Sequence, residues 1–116
     1  MRHQKRAHKL RSTTSQRRAL LRQLATSLVL YDSIETTEAK AKALRPYAEK
    51  LVTSAANDSV ARRRRAVVAL ANKRAVKKLF EVIGPKYKDR PGGYLRIRKT
   101  TRRAGDSALQ AVISFV

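Results

Sequence analysis

A chain of 116 residues that is 42% apolar has the size of one domain and enough hydrophobic material for a core. Its 28 Lys and Arg against 8 acids give a net charge of +20, which calls for a polyanionic partner, nucleic acid ahead of an anionic membrane surface. The absence of cysteine excludes disulfides and thiolate metal sites, and no apolar run approaches the ~20 residues of a membrane span.

Residues 1–30 contain no acid. Within them Arg2, Lys5, Arg6, Lys9 and Arg11 crowd a segment whose only large apolar residue after Met1 is Leu10. A core cannot organise such a segment, so residues 1–12 are expected to form an extended basic arm that meets the polyanion. The alternative is a merely solvated chain end. Residues 13–116 are then expected to form a single globular domain that binds the same polyanion. His3 and His8 have no carboxylate nearby in sequence, so a phosphate or base contact suits His3 better than catalysis or metal binding.

The run Ser12-Thr13-Thr14-Ser15 is rich in N-cap residues and predicts a helix to about Tyr31, with Leu20, Leu21, Leu24, Ala25 and Leu28 as its buried stripe. Arg17, Arg18 and Arg22 lie on this helix, and every charge on it is positive. Ser33-Ile34-Glu35-Thr36-Thr37 is short and β-branched and predicts a strand. Thr37 then caps a second helix, with Glu38 in the first turn where a negative charge suits the helix dipole. Ala41, Leu44, Ala48, Leu51, Val52 and Ala55 carry its apolar face, in constant phase across Pro46, so a kinked single helix is expected rather than two.

Asn57-Asp58-Ser59 separates this helix from a third over residues 60–71, in which Val60, Val67, Val68, Leu70 and Ala71 supply the apolar positions. Its four consecutive arginines, Arg62, Arg63, Arg64 and Arg65, sweep about 300° of a ~3.6-residue turn. At least one must therefore lie over apolar surface on its methylene stem, while the others reach outward. After a break at Asn72-Lys73, Val76, Leu79, Phe80 and Ile83 predict a further amphipathic helix that Gly84-Pro85 stops. Lys86, Lys88 and Arg90 surround Tyr87, which either packs beneath its loop or stacks on a base.

Tyr94 to Thr100 alternates, with Leu95 and Ile97 on one side and Tyr94, Arg96 and Arg98 on the other. Leu109, Ala111, Ile113 and Phe115 begin a second alternation. Between them Arg102-Arg103-Ala104-Gly105-Asp106 predicts a turn, with Gly105 free to take a positive φ and Asp106 able to cap it. The pattern is an antiparallel hairpin, apolar toward a core and cationic toward something acidic. The fold class is α+β: helix, strand, three helices and a two-stranded hairpin, with a small sheet of about three strands packed on the helices.

Catalytic constellations are absent, Gly92-Gly93 lacks the remainder of any phosphate-binding fingerprint, and no cofactor or small-molecule substrate is implied. The rival to an RNA binder is a DNA-binding module using residues 60–71 and 76–83 as a helix-turn-helix, although its second helix offers Lys77, Lys78 and Glu81 and no Asn or Gln. Dispersal of cations over the arm, the first helix, the arginine run, the 86–90 loop and the hairpin favours folded RNA. Six aromatics in the whole chain are too few for a single-strand stacking platform.

An ordered series of short matches spans the chain: Met1-Arg2-His3 with Lys5 and Leu10, Thr36-Thr37, Lys40-Ala41-Lys42, Leu44-Arg45, Leu79-Phe80, Gly84-Pro85, Arg90, Gly92-Gly93-Tyr94, Arg96-Ile97 and Arg102-Arg103-Ala104-Gly105-Asp106. With these residues the sequence resembles the bacterial family of large-subunit ribosomal proteins numbered seventeen. It departs from that pattern at Ala7, Arg11 and Ser12, where glycines are common, at Gln16, where a histidine is frequent, and at Ser114-Phe115, in place of an acidic-leucine ending. The resemblance implies a non-enzymatic protein of the cytoplasmic ribosome that binds large-subunit ribosomal RNA near the exit of the polypeptide tunnel. It further implies contacts with neighbouring ribosomal proteins, the small protein numbered thirty-two among them, and none with a membrane.

Overall fold

The computed structural model describes residues 13–116; the expected basic arm lies outside the described residues. Helix α1 (Thr14–Tyr31) begins with a capping box, in which Thr13 accepts from the Gln16 amide while the Gln16 side chain accepts from the Thr13 amide. Strand β1 (Ser33–Thr37) follows after Asp32 closes α1 in the left-handed conformation. The Thr37 hydroxyl then caps α2 (Glu38–Ala55), which runs through Pro46 without interruption. Ser59 caps α3 (Val60–Ala69), and Asn72 caps α4 (Lys73–Lys78) by accepting from the amides of Arg74 and Ala75. The chain continues from α4 as a π-helical segment, Leu79–Ile83, and one last turn, Gly84–Lys86. Strands β2 (Leu95–Arg102) and β3 (Leu109–Phe115) complete the elements of the described residues.

The sheet has the order β1-β3-β2, antiparallel throughout, so the hairpin's second strand is central. Ile113 stands opposite Ile34 on one side and Ile97 on the other, forming an isoleucine row on the inner face. Helix α2 packs against this face with Ala41, Leu44, Ala48 and Val52, and against α1, α3 and the π-helical segment elsewhere. One continuous core results, with Leu28, Leu44, Leu70, Leu79 and Ile113 among its largest fully enclosed side chains.

Several expectations require correction. Gly84 does not stop its helix: it remains right-handed at φ −54°, and the helix continues to Lys86. A Cβ there would fall on the Ala55 carbonyl of α2, so the glycine allows two helices to touch. Tyr94 is not on the cationic face of β2. Gly92 and Gly93 turn the chain at φ +94° and +66°, and Tyr94 enters the core beside Tyr87, ring centroids 5.3 Å apart. In α3 the core residue is Ala66, whereas Val60, Val67 and Val68 are exposed; the helix ends at Ala69, and Leu70 enters the core from the extended residue that follows. Leu109 is also exposed, where a register shift between Lys99 and Arg102 disturbs the ladder at the hairpin's turn end. The positive φ of the turn belongs to Ser107 (+57°) and not to Gly105.

Candidate nucleic-acid interface

The cations divide into those engaged with the protein itself and those turned outward. Six ion pairs involve five of the eight acids. Glu38, at the start of α2, accepts from Lys42 (2.9 Å) and faces Lys99 of β2 (3.6 Å). The Lys42 hydrogen bond, above all, holds its carboxyl below the usual range. Lys78 reaches back to Asp32 and to the Leu30 carbonyl, tying α4 to the end of α1. Where the acids are drawn into such pairs, the remaining Lys and Arg define the surface potential.

On the sheet's outer face Arg96 and Arg98 are exposed, opposite Ser114 and Val112 of β3. At the hairpin turn Arg103 grips Asp106 through two parallel bonds, Nε at 3.0 Å and Nη2 at 2.6 Å. That grip, with the Ala108 amide donating to the same carboxylate, lowers the Asp106 pKa to about 2. Arg102 donates to the Ser107 carbonyl. These two arginines therefore build the turn as well as charging it, and the expected turn-capping role of Asp106 is met.

The arginine run of α3 splits in the same way. Arg63 makes a two-bond pair with Asp58, both at 2.7 Å, and its guanidinium lies 5.1 Å from the centre of the Phe80 ring. The pair lowers the Asp58 pKa and raises that of Arg63. Arg62 donates to the Ser54 carbonyl at the end of α2. Arg64 and Arg65 are exposed. Tyr87 is enclosed, as the packing alternative required, and donates to the Val116 carbonyl. Lys86 and Arg90 each lie 5.2 Å from the centre of its ring, and Lys88 is exposed beside them.

On α1, Arg18 and Arg22 are exposed and Arg17 is half-buried. Arg22 lines a cleft with Asn72 and Lys73. Arg22 and Arg18 also act on the Tyr47 hydroxyl, whose pKa burial nevertheless raises. The cations of the arm, Arg2, Lys5, Arg6, Lys9 and Arg11, and His3 with them, lie outside the described residues. Lys50, Lys73 and Arg74, which the sequence did not single out, are exposed as well, as are Arg65 of the arginine run and Lys77. The signal was present for Arg65: it lies four residues before Ala69, on the side that faces α2. Among the described residues no group of three or more His, Asp or Glu could hold a metal ion, and no helix is long and apolar enough to cross a membrane.

Such an arrangement defines a cationic scaffold protein, a small α+β core that presents guanidinium and ammonium groups from several elements at once. A family model described as ribosomal protein L17 matches residues 20–116. The chain is 51% identical over 116 residues to the large ribosomal subunit protein bL17 of Gemmatimonas aurantiaca, covering all of this chain and 98% of that one. The bL17 proteins of Hydrogenobaculum (47%, all of this chain and 99% of that one) and Rickettsia bellii (49%, all of this chain and 82% of that one) are similar to it as well. The chain belongs to the ribosomal protein L17 family, and it is a structural, non-enzymatic constituent of the ribosome.

Proposed function

We propose that this protein binds and stabilises the folded ribosomal RNA of the large subunit, and so supports translation on cytoplasmic ribosomes. The observation that carries the reading is the dispersal of outward cations over α1, α3, the 86–90 loop and the sheet face, while five of the eight acids are held in internal ion pairs. Phosphates that converge from several RNA segments are met by charge on several faces, whereas a duplex reader concentrates its contacts on one helix. Residues 1–12 act as a basic arm outside a globular domain of residues 13–116, and Arg2, His3, Lys5, Arg6, Lys9 and Arg11 extend the same surface. A position near the tunnel exit, beside other large-subunit proteins such as number thirty-two, follows from the family resemblance.

The helix-turn-helix alternative gains little support from the geometry. The second helix, which runs on from α4 through the π-helical segment, buries Ala75, Val76, Leu79, Phe80 and Ile83, and the Asn72 side chain is engaged as its cap. Competition decides the matter: large-subunit ribosomal RNA should displace duplex DNA at equal salt. Filter binding to the same RNA should give a log–log salt slope of several units, since each neutralised phosphate contributes roughly −0.9 in B-form DNA. Arg96→Ala and Arg98→Ala should each reduce the slope by about one. A slope near zero would overturn the reading.

A further inference from the structure

Beside the Arg63–Phe80 contact, a groove of about 230 Å³ opens to solvent between α2 and α3. Tyr47, Leu51 and Ser54 form the α2 wall, Ala66 and Ala69 form the α3 wall, and Phe80 closes the end. The Tyr47 hydroxyl donates to the Ala69 carbonyl at 2.7 Å, which fixes the ring across the groove and leaves its oxygen able to accept. The two charged residues of the lining are Lys50 and Arg65. No carboxylate lines it. The small alanines, not a missing side chain, make the space: α3 turns its valines outward and presents Ala66 and Ala69 to α2.

We propose that this groove receives one unstacked base of the folded ribosomal RNA, with Lys50 and Arg65 on the flanking phosphates. The inference rests on the RNA-binding reading and goes beyond it, because it adds to diffuse phosphate contact a single point where the RNA is held by shape. Single-stranded loops and bulges of RNA are recognised through bases splayed out onto aromatic side chains and Arg planes. The volume is below the ~300–1,000 Å³ of sites for drug-sized ligands, so it suits one ring system and not a whole free nucleotide. An apolar interior with an entirely cationic rim fits a base between two phosphates. A peptide segment would have to bring acids to that rim.

The test fills the groove without touching a charge. Ala69→Leu from the α3 wall and Ser54→Leu from the α2 wall are two independent fillers, each checked for an unchanged melting temperature. The probe is deproteinised large-subunit ribosomal RNA in a filter-binding titration. Both variants should bind on the order of tenfold more weakly than the parent chain, as the loss of one base–aromatic stack requires, with the salt slope unchanged. Ultraviolet crosslinking of the parent complex should place a nucleotide adduct on Tyr47 or Phe80. Parent-like RNA binding by both fillers overturns the proposal. If they bind the RNA normally but fail to enter reconstituted subunits, the occupant is a protein segment, and the proposal is equally overturned. If the parent chain itself does not bind the RNA, the broader reading falls first, which separates the two failures.

Discussion

Truncation of Ile113 is the sharpest probe of how the sheet divides its two faces. Its side chain is fully enclosed at the centre of the Ile34–Ile113–Ile97 row, with α2 above it. Ile113→Ala removes buried carbon atoms where the neighbours, two strands and a helix, have little room to collapse; such changes cost about 2–5 kcal/mol. A middle value of about 3 kcal/mol corresponds to a fall on the order of 12 °C in melting temperature for a domain near 100 residues. Ile97 is only partly buried on an edge strand, so Ile97→Ala should cost roughly half as much. Arg98→Ala, one residue along on the exposed face, should stay within about 0.5 kcal/mol of the parent. Thermal unfolding followed by circular dichroism measures all three. A larger loss for Arg98→Ala than for Ile113→Ala would mean that the register is displaced by one residue and that the faces are exchanged.

Gly84→Ala distinguishes close approach from simple helix breaking by its sign: overlap with the Ala55 carbonyl should destabilise by about 1–3 kcal/mol, whereas a mere helix breaker would gain up to ~1 kcal/mol from alanine. Acid unfolding should carry the signature of Asp106, whose folded pKa of about 2 lies below its ordinary 3.8. A carboxyl depressed on folding stabilises fully above its unfolded pKa and loses that contribution as pH falls through the folded one. The melting difference between the parent and Asp106→Asn should therefore be present at pH 6 and vanish near pH 2; a constant difference would refute the linkage. Deletion of residues 1–12 should leave the melting temperature nearly unchanged, because a segment with Leu10 as its one large apolar residue after Met1 has little to bury, yet weaken RNA binding and flatten its salt slope. A loss of several kcal/mol in the same deletion would show that Leu10 belongs to the core.

Local signals in the sequence were sufficient for most of the elements. Thr13 and Thr37 advertise their caps because an N-cap interaction reaches only three residues along the chain. The alternation of Leu95, Arg96, Ile97 and Arg98 fixes the faces of β2 for a similar reason. What escaped depends on partners far away in the sequence. Gly84 looks like a stop signal until Ala55 is placed beside it, and Tyr94 looks like an extension of the cationic face until Gly92 and Gly93 redirect the chain. Val67 and Val68 have the composition of a core, but α2 meets α3 through Ala66, and nothing within the helix announces that choice. Among the candidate cations, the reading found charge but could not sort it. Arg63 and Arg103 hold Asp58 and Asp106, while Lys50 and Arg65 come together only at a groove formed by two separate helices.

The sheet order also imposes a timetable on synthesis. β1 and β2 do not touch each other; each is paired only with β3, and Ser33 meets Ser114 across 81 residues of chain. A nascent polypeptide can wind α1 and α2 early, but both outer strands lack their one pairing partner until residue 115 has emerged. Closing so distant a pairing is slow relative to local helix formation. During that interval the chain carries its +20 charge with its isoleucine row uncovered. The exposed cations of its helices, Arg18 and Arg22 among them, are in place before the hairpin has folded, so the charged surface is laid down ahead of the strand that completes the core.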